Sequence, residues 1–519
     1  MARITIADAA PQYQWWPDLV EPEPTGTGST GSHTATTIDL AWPSSFGQIE
    51  FEFTGTDIEF IPDGAGEIPI GGTIQTMVLR VDGVVWLTAS ELDKGVADLD
   101  HFWFGWVRGG DFRPGNMFDL CTFVLSGNDV ITGSAGGDDL ISGRNPGNDT
   151  IFGGGGSDYI KADMGNDVID GGDGTDTYSL TETFFDAYAF RGGVVNLATG
   201  TVTDSWGGTD TLTGIERVDG SRFGDRFTGG AGNDHFRGLK GNDTINGGAG
   251  FDTARYDRDW DYGGQRGVTV NLATGVAIDG WGNRDTLSNI EAVRGTRGAD
   301  SITGNQADNW LQGGAGIDSL DGGQGRDTAN MYSDGVTAGV VVDLSRATEQ
   351  VLNDGFGNVE TLLRIENVAG SFRNDTLTGN SGDNELIGDL GRDVLSGGGG
   401  ADRLIGGGGN DRLTGGAGAD TFIFDRGDDS DPWGDTITDF RSGVDKLAFE
   451  TVDFAGMDGV TRLVLGTGPG SVTQSCFYFD AGTKRLWWDV DGNGAAAAVM
   501  VATLTGVNTL VEADIQLWL

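Results

Sequence analysis

The chain has 519 residues, and its 78 acidic residues against 32 basic ones give a net charge of −46 at pH 7. A charge this negative disfavours nucleic acid and anionic membrane surfaces as partners, and it favours cations. The two cysteines are too few for a disulfide framework, and no apolar run is long enough for a transmembrane segment. The N-terminus lacks the layout of a cleaved signal peptide.

Residues 1–122 contain no repeat and are predicted to form a small antiparallel β domain of unknown function. Stretches such as QIEFEFTGTDIEFI alternate apolar and polar residues, and turn residues separate them. Four carboxylates on these strands would suit a glycosidase-like enzyme, although solvated strand positions are commoner: Glu50, Glu52, Asp57 and Glu59. Six tryptophans would either stack on sugar rings or form the core of the domain: Trp15, Trp16, Trp42, Trp86, Trp103 and Trp106.

A nine-residue period follows, in four blocks. Glycines precede an aspartate and a large apolar residue stands two positions after it, as in GGAGADTF at residues 415–422. We interpret the unit as a six-residue turn followed by about three residues of strand. One inward apolar residue per repeat fills only a thin core, between two stacked parallel sheets. The fold class is therefore all-β, with four parallel β-roll blocks after the N-terminal domain.

A second period of 75 residues overlays the first. Three segments, called interludes here, share a β-branched strand and an LxxIExV piece; they lie at residues 194–218, 268–293 and 340–368. Each is interpreted as a strand, a turn and a further strand that interrupts one roll and leads into the next. The predicted regions after the N-terminal domain are 123–180, 181–256, 257–331, 332–424, and a C-terminal cap with a secretion signal at 425–519.

The repeat carries the chemistry of a calcium site. Glycine turns expose backbone carbonyls, and the aspartate adds a hard anionic oxygen. Ca²⁺ takes six to eight oxygens at about 2.3–2.6 Å, which one turn cannot supply and two stacked turns can. Histidine and thiolate are absent from the pattern, which disfavours zinc and copper. DVDGNG at residues 489–494 starts like an EF-hand loop, but Met500 replaces its glutamate, so we interpret it as a turn.

Units such as GGAGADTF and GGGGNDRL resemble the GGxGxDxUx nonapeptide of the RTX (repeats-in-toxin) family, over roughly residues 126–424. The resemblance implies parallel β-rolls that bind several Ca²⁺ ions, each ion held by aspartates two repeats apart and by turn carbonyls. It thus predicts these metal ligands: Asp129, Asp138, Asp149, Asp158, Asp167, Asp176, Asp225, Asp234, Asp243, Asp252, Asp300, Asp318, Asp327, Asp375, Asp393, Asp402, Asp411 and Asp420. Weaker or missing sites are expected at Asn309 and Asn384, and where the turns before Asp167 (KADMGND) and Asp243 (RGLKGND) depart from the glycine pattern.

Without the ion, the packed carboxylates repel one another, so the repeats are expected to fold only where Ca²⁺ is plentiful. Extracellular Ca²⁺ is about millimolar, in the range of extracellular modules. The resemblance implies export by the type I secretion apparatus of a bacterium, through an uncleaved C-terminal signal such as the tail VEADIQLWL. The protein is then secreted, and either extracellular or attached to the cell surface.

Three functions stay open. The preferred hypothesis is a non-catalytic protein of adhesion, matrix or surface-layer building, with cell-surface or matrix polysaccharide as a partner. The second is a secreted hydrolase with its site in residues 1–122, although that region has neither HExxH nor a GxSxG elbow. The third is an RTX toxin or bacteriocin-like protein, which the lack of a long apolar helical region disfavours.

Overall fold

The computed structural model describes the backbone of the strands within residues 3–95. It also describes residues 128, 130–141, 147–162, 164–181, 189–333, 335–424, 434–450, 462–492, 494 and 496–518. The chain divides into two units, Met1–Asp252 and Thr253–Leu519, which are taken in turn. All the described elements are β strands except a single 3-10 turn at Glu512–Asp514.

The N-terminal strands of the first unit are antiparallel to one another, as their alternating sequence predicts. They are Arg3–Ile6, Thr34–Ser44, Gly47–Asp63, Gly66–Val81 and Val84–Gly95. The last four pair in chain order. Arg3–Ile6 pairs antiparallel with Val84–Gly95 and parallel with the first repeat strand, Val130–Thr132. That residues 1–122 form a domain of their own stays a prediction.

The repeats of the first unit build two parallel sheets, because successive three-residue strands alternate between them. One sheet contains Asp139–Ile141, Tyr159–Lys161, Thr177–Ser179, Arg217–Asp219 and His235–Arg237. The other contains Val130–Thr132, Thr150–Gly156, Val168–Gly174, Val194–Asn196, Thr201–Thr203, Thr209–Thr213, Arg226–Thr228 and Thr244–Asn246. The central residue of each repeat strand points inward and is buried, as Ile151 and Ile160 show. This is the thin core that the nine-residue period predicts.

The interlude of the first unit corrects one part of the sequence interpretation, because it interrupts only one of the two sheets. On the uninterrupted side, Thr177–Ser179 pairs directly and in parallel with Arg217–Asp219. On the other side, Val168–Gly174 pairs in parallel with Thr209–Thr213, and the hairpin strands Thr201–Thr203 and Val194–Asn196 then follow antiparallel. The roll therefore continues through the interlude, and the two hairpin strands are inserted into the interrupted sheet.

The second unit repeats this plan. Its uninterrupted sheet contains Thr253–Arg255, Ala292–Arg294, Trp310–Gln312, Thr328–Asn330, Asn367–Ala369, Glu385–Ile387, Arg403–Ile405, Thr421–Phe424, Lys446–Glu450 and Ile515–Trp518. Facing it are Thr269–Asn271, Val276–Ile278, Arg284–Ser288, Ser301–Thr303, Ser319–Asp321 and Thr361–Leu363. A further run contains Val341–Asp343, Val351–Asn353, Thr376–Thr378, Val394–Gly399, Arg412–Ala417, Asp435–Ile437, Leu463–Leu465, Cys476–Asp480, Arg485–Asp489 and Val499–Leu504. Leu390–Gly391 pairs with Gly408–Gly409.

The C-terminal strands continue both sheets beyond the last repeat. Asp435–Ile437 pairs in parallel with Arg412–Ala417, and Lys446–Glu450 pairs in parallel with Thr421–Phe424. Stacked and tilted aromatic rings fill the core here, where the repeats have leucine: Phe424, Phe449, Phe477 and Trp488. Larger side chains thus form the core beyond the last repeat, and the role of residues 425–519 as a cap stays a prediction.

Candidate metal centre

Turns of alternate repeats stack on one another through their aspartates. The backbone N–H of Asp149 donates to Oδ1 of Asp167 at 2.7 Å, across eighteen residues. The same bond recurs at 2.7–3.1 Å from Asp158 to Asp176, Asp225 to Asp243, Asp234 to Asp252, Asp300 to Asp318, Asp375 to Asp393, Asp393 to Asp411, and Asp402 to Asp420. The accepting aspartate of each pair thus spends one carboxylate oxygen on holding two turns together.

The second oxygen of many of these carboxylates is buried and faces the space inside the turn. Among the described residues, Oδ2 accepts no hydrogen bond at Asp158, Asp167, Asp176, Asp318, Asp327, Asp393, Asp402 and Asp420. A buried carboxylate oxygen without a donor is costly, because desolvation is not compensated. These oxygens therefore require a cation or a proton.

Glycine keeps the space beside these oxygens open. A Cβ added to Gly153 would lie 2.3 Å from Oδ2 of Asp158 and 2.2 Å from the carbonyl oxygen of Gly171 in the next stacked turn. The carboxylate and the carbonyl therefore converge on one space. In the turn of another repeat, residues 415–420, Gly416 and Gly418 adopt φ values of +96° and +144°, which L residues rarely reach. The glycines of the repeat thus serve both the turn and the cradle.

The electrostatics of the turns point the same way. Burial, to which nearby carboxylates add, raises the pKa of Asp167 and of Asp393 to about 8. Burial likewise raises the pKa of Asp158 and of Asp402 to about 6. Without a cation, Asp167 and Asp393 favour the protonated form at neutral pH, whereas Asp158 and Asp402 become protonated below about pH 6. A divalent cation would hold them ionised, because it offsets both the desolvation and the mutual repulsion.

The donor set fits Ca²⁺. The converging groups are carboxylate and carbonyl oxygens, which hard cations prefer. In the part of the chain that the structure describes, no three His, Cys, Asp or Glu side chains converge to hold a metal ion. A cation between turns must therefore take backbone carbonyls as well. Two stacked turns offer such carbonyls, as the convergence at Gly153 shows.

The two asparagine positions differ from the aspartates in their hydrogen bonding. Nδ2 of Asn309 donates to the carbonyl oxygen of Glu291 at 3.0 Å, and Nδ2 of Asn384 donates to the carbonyl oxygen of Glu366 at 2.6 Å. Oδ1 of each accepts the backbone N–H of the residue four positions earlier. The asparagine amide thus bonds directly to a carbonyl oxygen. At an aspartate, a cation between the carboxylate and the carbonyl would have this role. Asp167 keeps its unpartnered oxygen although its turn departs from the glycine pattern.

A further group of aspartates has both oxygens bonded, which the sequence interpretation did not distinguish. The first aspartates of three blocks accept bonds from the backbone N–H and hydroxyl of a residue four positions earlier: Asp225 from Ser221, Asp300 from Thr296, and Asp375 from Ser371. Asp138 and Asp234 accept the corresponding backbone N–H alone. Ser or Thr in place of the second glycine was the available signal. Asp129 lies outside the described residues.

Sequence reasoning also missed acidic residues that extend the stack. Asp167 donates its N–H to Oδ1 of Asp210 at 3.0 Å, and Asp176 donates to Oε2 of Glu216 at 3.0 Å. The stack goes on at Glu366, Asp435 and Asp445, which accept from Asp327, Asp411 and Asp420. A buried apolar residue two positions after each acid marks them, as Leu212 and Val218 do.

The stacked turns and two parallel sheets define a parallel β-roll repeat protein. The family model of the RTX calcium-binding nonapeptide repeat matches residues 124–145, 144–178, 219–254, 294–329, 364–395 and 396–431. The chain thus contains RTX calcium-binding nonapeptide repeats, and such repeats bind Ca²⁺ ions. Among the described residues, no helix has the length and apolar character needed to cross a membrane.

Two solved structures are similar to parts of this chain. The AlgE6R3 subunit of the mannuronan C5-epimerase of Azotobacter vinelandii is 28% identical, with a TM-score of 0.20, over 28% of this chain and 78% of that one. The extracellular lipase LipA of Serratia marcescens is 13% identical, with a TM-score of 0.16, over 92% of this chain and 82% of that one. No curated protein matches the chain.

Proposed function

We propose that this protein is secreted and that its repeats fold around Ca²⁺ once it is outside the cell. The observation that carries the proposal is the set of buried, unpartnered Oδ2 atoms in successive stacked turns. With these aspartates ionised and no cation bound, the folded state is unstable, because the buried carboxylate oxygens have no compensating partner. A Ca²⁺ ion that binds only the folded state stabilises that state by mass action.

The proposed ligands follow from the same geometry. Aspartates with an unpartnered Oδ2, such as Asp158, Asp393 and Asp402, are proposed to bind ions together with the first-glycine carbonyl of the next stacked turn. Aspartates whose two oxygens are already bonded, such as Asp225 and Asp375, are proposed to bind more weakly. The ligand role of Asp129 stays a prediction from sequence.

Secretion is proposed to follow the type I route. The net charge of −46 and the thin core keep the chain unfolded where Ca²⁺ is scarce, and an unfolded chain can pass through an export channel. RTX proteins are typically secreted, and the tail of this chain suits an uncleaved C-terminal signal. If export persists after deletion of about the last fifty residues, this part of the proposal fails.

The role outside the cell is proposed to be adhesion, matrix or surface-layer building, with polysaccharide as the partner of residues 1–122. The six tryptophans of this region support polysaccharide binding only through their presence in the sequence, because their side chains lie outside the described part of the structure. The test is binding of the calcium-loaded full chain to a glycan array. Turnover of polysaccharide or ester substrates by the same chain would favour the hydrolase instead.

Calcium-dependent folding is tested by circular dichroism of the full chain. We expect β structure to appear on titration of metal-free protein with Ca²⁺ to the millimolar range. Mg²⁺ at the same concentration is the control, and it should act weakly because it demands octahedral geometry and keeps its waters. Equal β content with chelator and with millimolar Ca²⁺ would refute the proposal.

A further inference from the structure

The first interlude contains a turn, residues 204–210 (DSWGGTD), that lies between two segments matched by the RTX repeat model. Oδ1 of Asp204 accepts the backbone N–H groups of Trp206 at 2.9 Å and Gly208 at 2.7 Å. Asp204 is 1% exposed, and in the part of the chain described here its Oδ2 has no hydrogen-bond partner. One oxygen thus holds the turn, and the other is buried without a donor.

In the corresponding turns of the other two interludes, the equivalent aspartate Oδ2 accepts a hydrogen bond. Oδ2 of Asp279 accepts a hydrogen bond from Nδ2 of Asn283 at 2.8 Å, and Oδ2 of Asp354 accepts one from Nδ2 of Asn358 at 2.8 Å. Glycine stands at the corresponding position 208 in the first interlude. A single change of residue type therefore separates an internally satisfied carboxylate from one that is left open.

Other oxygens without a donor lie near Asp204. A Cβ on Gly208 would lie 1.7 Å from the carbonyl oxygen of Gly165 and 2.7 Å from Oδ2 of Asp204, so these two oxygens face the same space. Asp167 is also 1% exposed with an unpartnered Oδ2, and it is close enough for the charge of Asp204 to raise its pKa. In the described turn, the buried hydroxyl of Ser205 also lacks a partner, whereas the other interludes have glycine there.

The remaining charged groups do not neutralise this site. Asp210 is engaged, because its Oδ1 accepts the N–H of Asp167 and its Oδ2 accepts the hydroxyl of Tyr178 at 2.8 Å. Burial raises the pKa of Asp204, and the backbone hydrogen bonds and the charge of Arg191 oppose this shift only in part; Nε of Arg191 donates to the backbone carbonyl of Asp204 at 3.3 Å. The single positive charge of Arg191 does not balance the buried carboxylates of Asp204 and Asp167, and a divalent cation would do so.

We propose that Asp204, Asp167 and the carbonyl of Gly165 form an additional cation site, which takes Ca²⁺ and is specific to the first interlude. Asp204 supplies a carboxylate from outside the nonapeptide pattern. The site depends on the proposed calcium binding of the repeats only through the shared residue Asp167. In the other interludes, Asn283 and Asn358 replace the ion with an amide.

The test counts bound Ca²⁺ ions on the full chain by native mass spectrometry. Asp204→Asn keeps Oδ1 as acceptor for the turn and is expected to bind one ion fewer than the wild type. Asp279→Asn is the matched control and is expected to keep the wild-type number. With Tb³⁺ as probe, Asp204→Asn should also lose the part of the tryptophan-sensitised emission that comes from Trp206, because Trp206 belongs to the same turn. Trp206→Phe should lose that emission and keep the Ca²⁺ count.

An unchanged ion count in folded Asp204→Asn would overturn the site. If that variant fails to gain β structure in Ca²⁺, Asn358→Gly decides. Removal of this amide opens Oδ2 of Asp354, and the variant is expected to bind one ion more than the wild type; no gain would overturn the proposal. A wild type that gains no β structure with Ca²⁺ would instead refute the calcium-dependent folding of the repeats.

Discussion

The backbone N–H of Asn384 donates a hydrogen bond to Oδ1 of Asp402, eighteen residues along the chain, while Oδ2 of Asp402 stays buried without a donor among the described residues. One carboxylate therefore has two tasks, which are to hold the stack and to face the space between turns. Because the tasks use different oxygens, substitution by asparagine separates them: the amide keeps an acceptor for the stack and replaces the second oxygen with a donor.

Asp402→Asn is expected to bind one Ca²⁺ ion fewer and to need roughly tenfold more Ca²⁺ for folding, equivalent to about 1.4 kcal/mol. Oδ1 can still accept the N–H of Asn384, so the loss falls on the ion. A calcium titration followed by circular dichroism measures it. Asp383→Asn is the control, because Asp383 is exposed and its Oδ1 binds the N–H of Ala401. Equal shifts in both variants would show a general charge effect.

Asn384→Asp is expected to have the opposite effect. Nδ2 of Asn384 donates to the carbonyl oxygen of Glu366, so a carboxylate would set two oxygens against each other there. The folded state should therefore be destabilised by about 1–3 kcal/mol until an ion fills this position. With Ca²⁺, the variant should bind one ion more. Asn374→Asp is the exposed control for charge, and an ion count equal to the wild type's in Asn384→Asp would contradict the role given to the amide.

The sequence alone predicted the stacked turns well, because the repeat is local and each unit dictates its own turn and strand. Asp402, Asp411 and Asp420 lie where the nine-residue period indicates. It did not predict Asp210, because forty-three residues separate it from its partner Asp167 and a hairpin fills the gap. Periodicity records spacing along the chain, whereas stacking depends on which strands meet.

The nine-residue period also could not predict which carboxylate oxygens accept hydrogen bonds in the folded protein. Asp375 and Asp393 occupy the same position of the repeat, yet only Asp375 accepts the N–H and hydroxyl of a serine four residues earlier, Ser371. Asp204 shows the same limit, since whether its Oδ2 is bonded depends on residue 208 and on a turn contributed by distant residues. The hydrogen bonds of a buried oxygen depend on the residues that surround it in the folded protein. The regular spacing of acidic residues along the chain does not determine those residues.

Gly397→Ala tests whether glycine keeps the cradle open. The added Cβ would lie 2.2 Å from Oδ2 of Asp402, so the carboxylate has to move. We expect a loss of about 1–3 kcal/mol in the calcium-loaded state, measured by denaturant unfolding, and a lower ion count. Gly232→Ala is the matched control within a repeat turn, since its Cβ would meet nothing within 4 Å. Equal losses at both positions would point to backbone conformation as the cause.

Metal-free and calcium-loaded protein are expected to respond to pH with opposite signs. Burial raises the pKa of Asp167 and Asp393 to about 8 in the folded state, against about 3.9 in the unfolded chain. The folded metal-free form thus binds more protons, and the stability from these groups is present below about pH 4 and is lost as pH rises towards 8. Metal-free β content should therefore fall between pH 4.5 and 8.5 in circular dichroism.

Calcium reverses this dependence because protons compete for the same oxygens, so the Ca²⁺ concentration needed for folding should rise as pH falls below 8. Asp393→Asn removes one of the titrating groups and should make the metal-free pH dependence shallower than in the wild type. Asn374→Asp adds a carboxylate at an exposed position and should leave it unchanged. Metal-free protein that gains β structure as pH rises would contradict the raised pKa values, and with them the need for a cation between the turns.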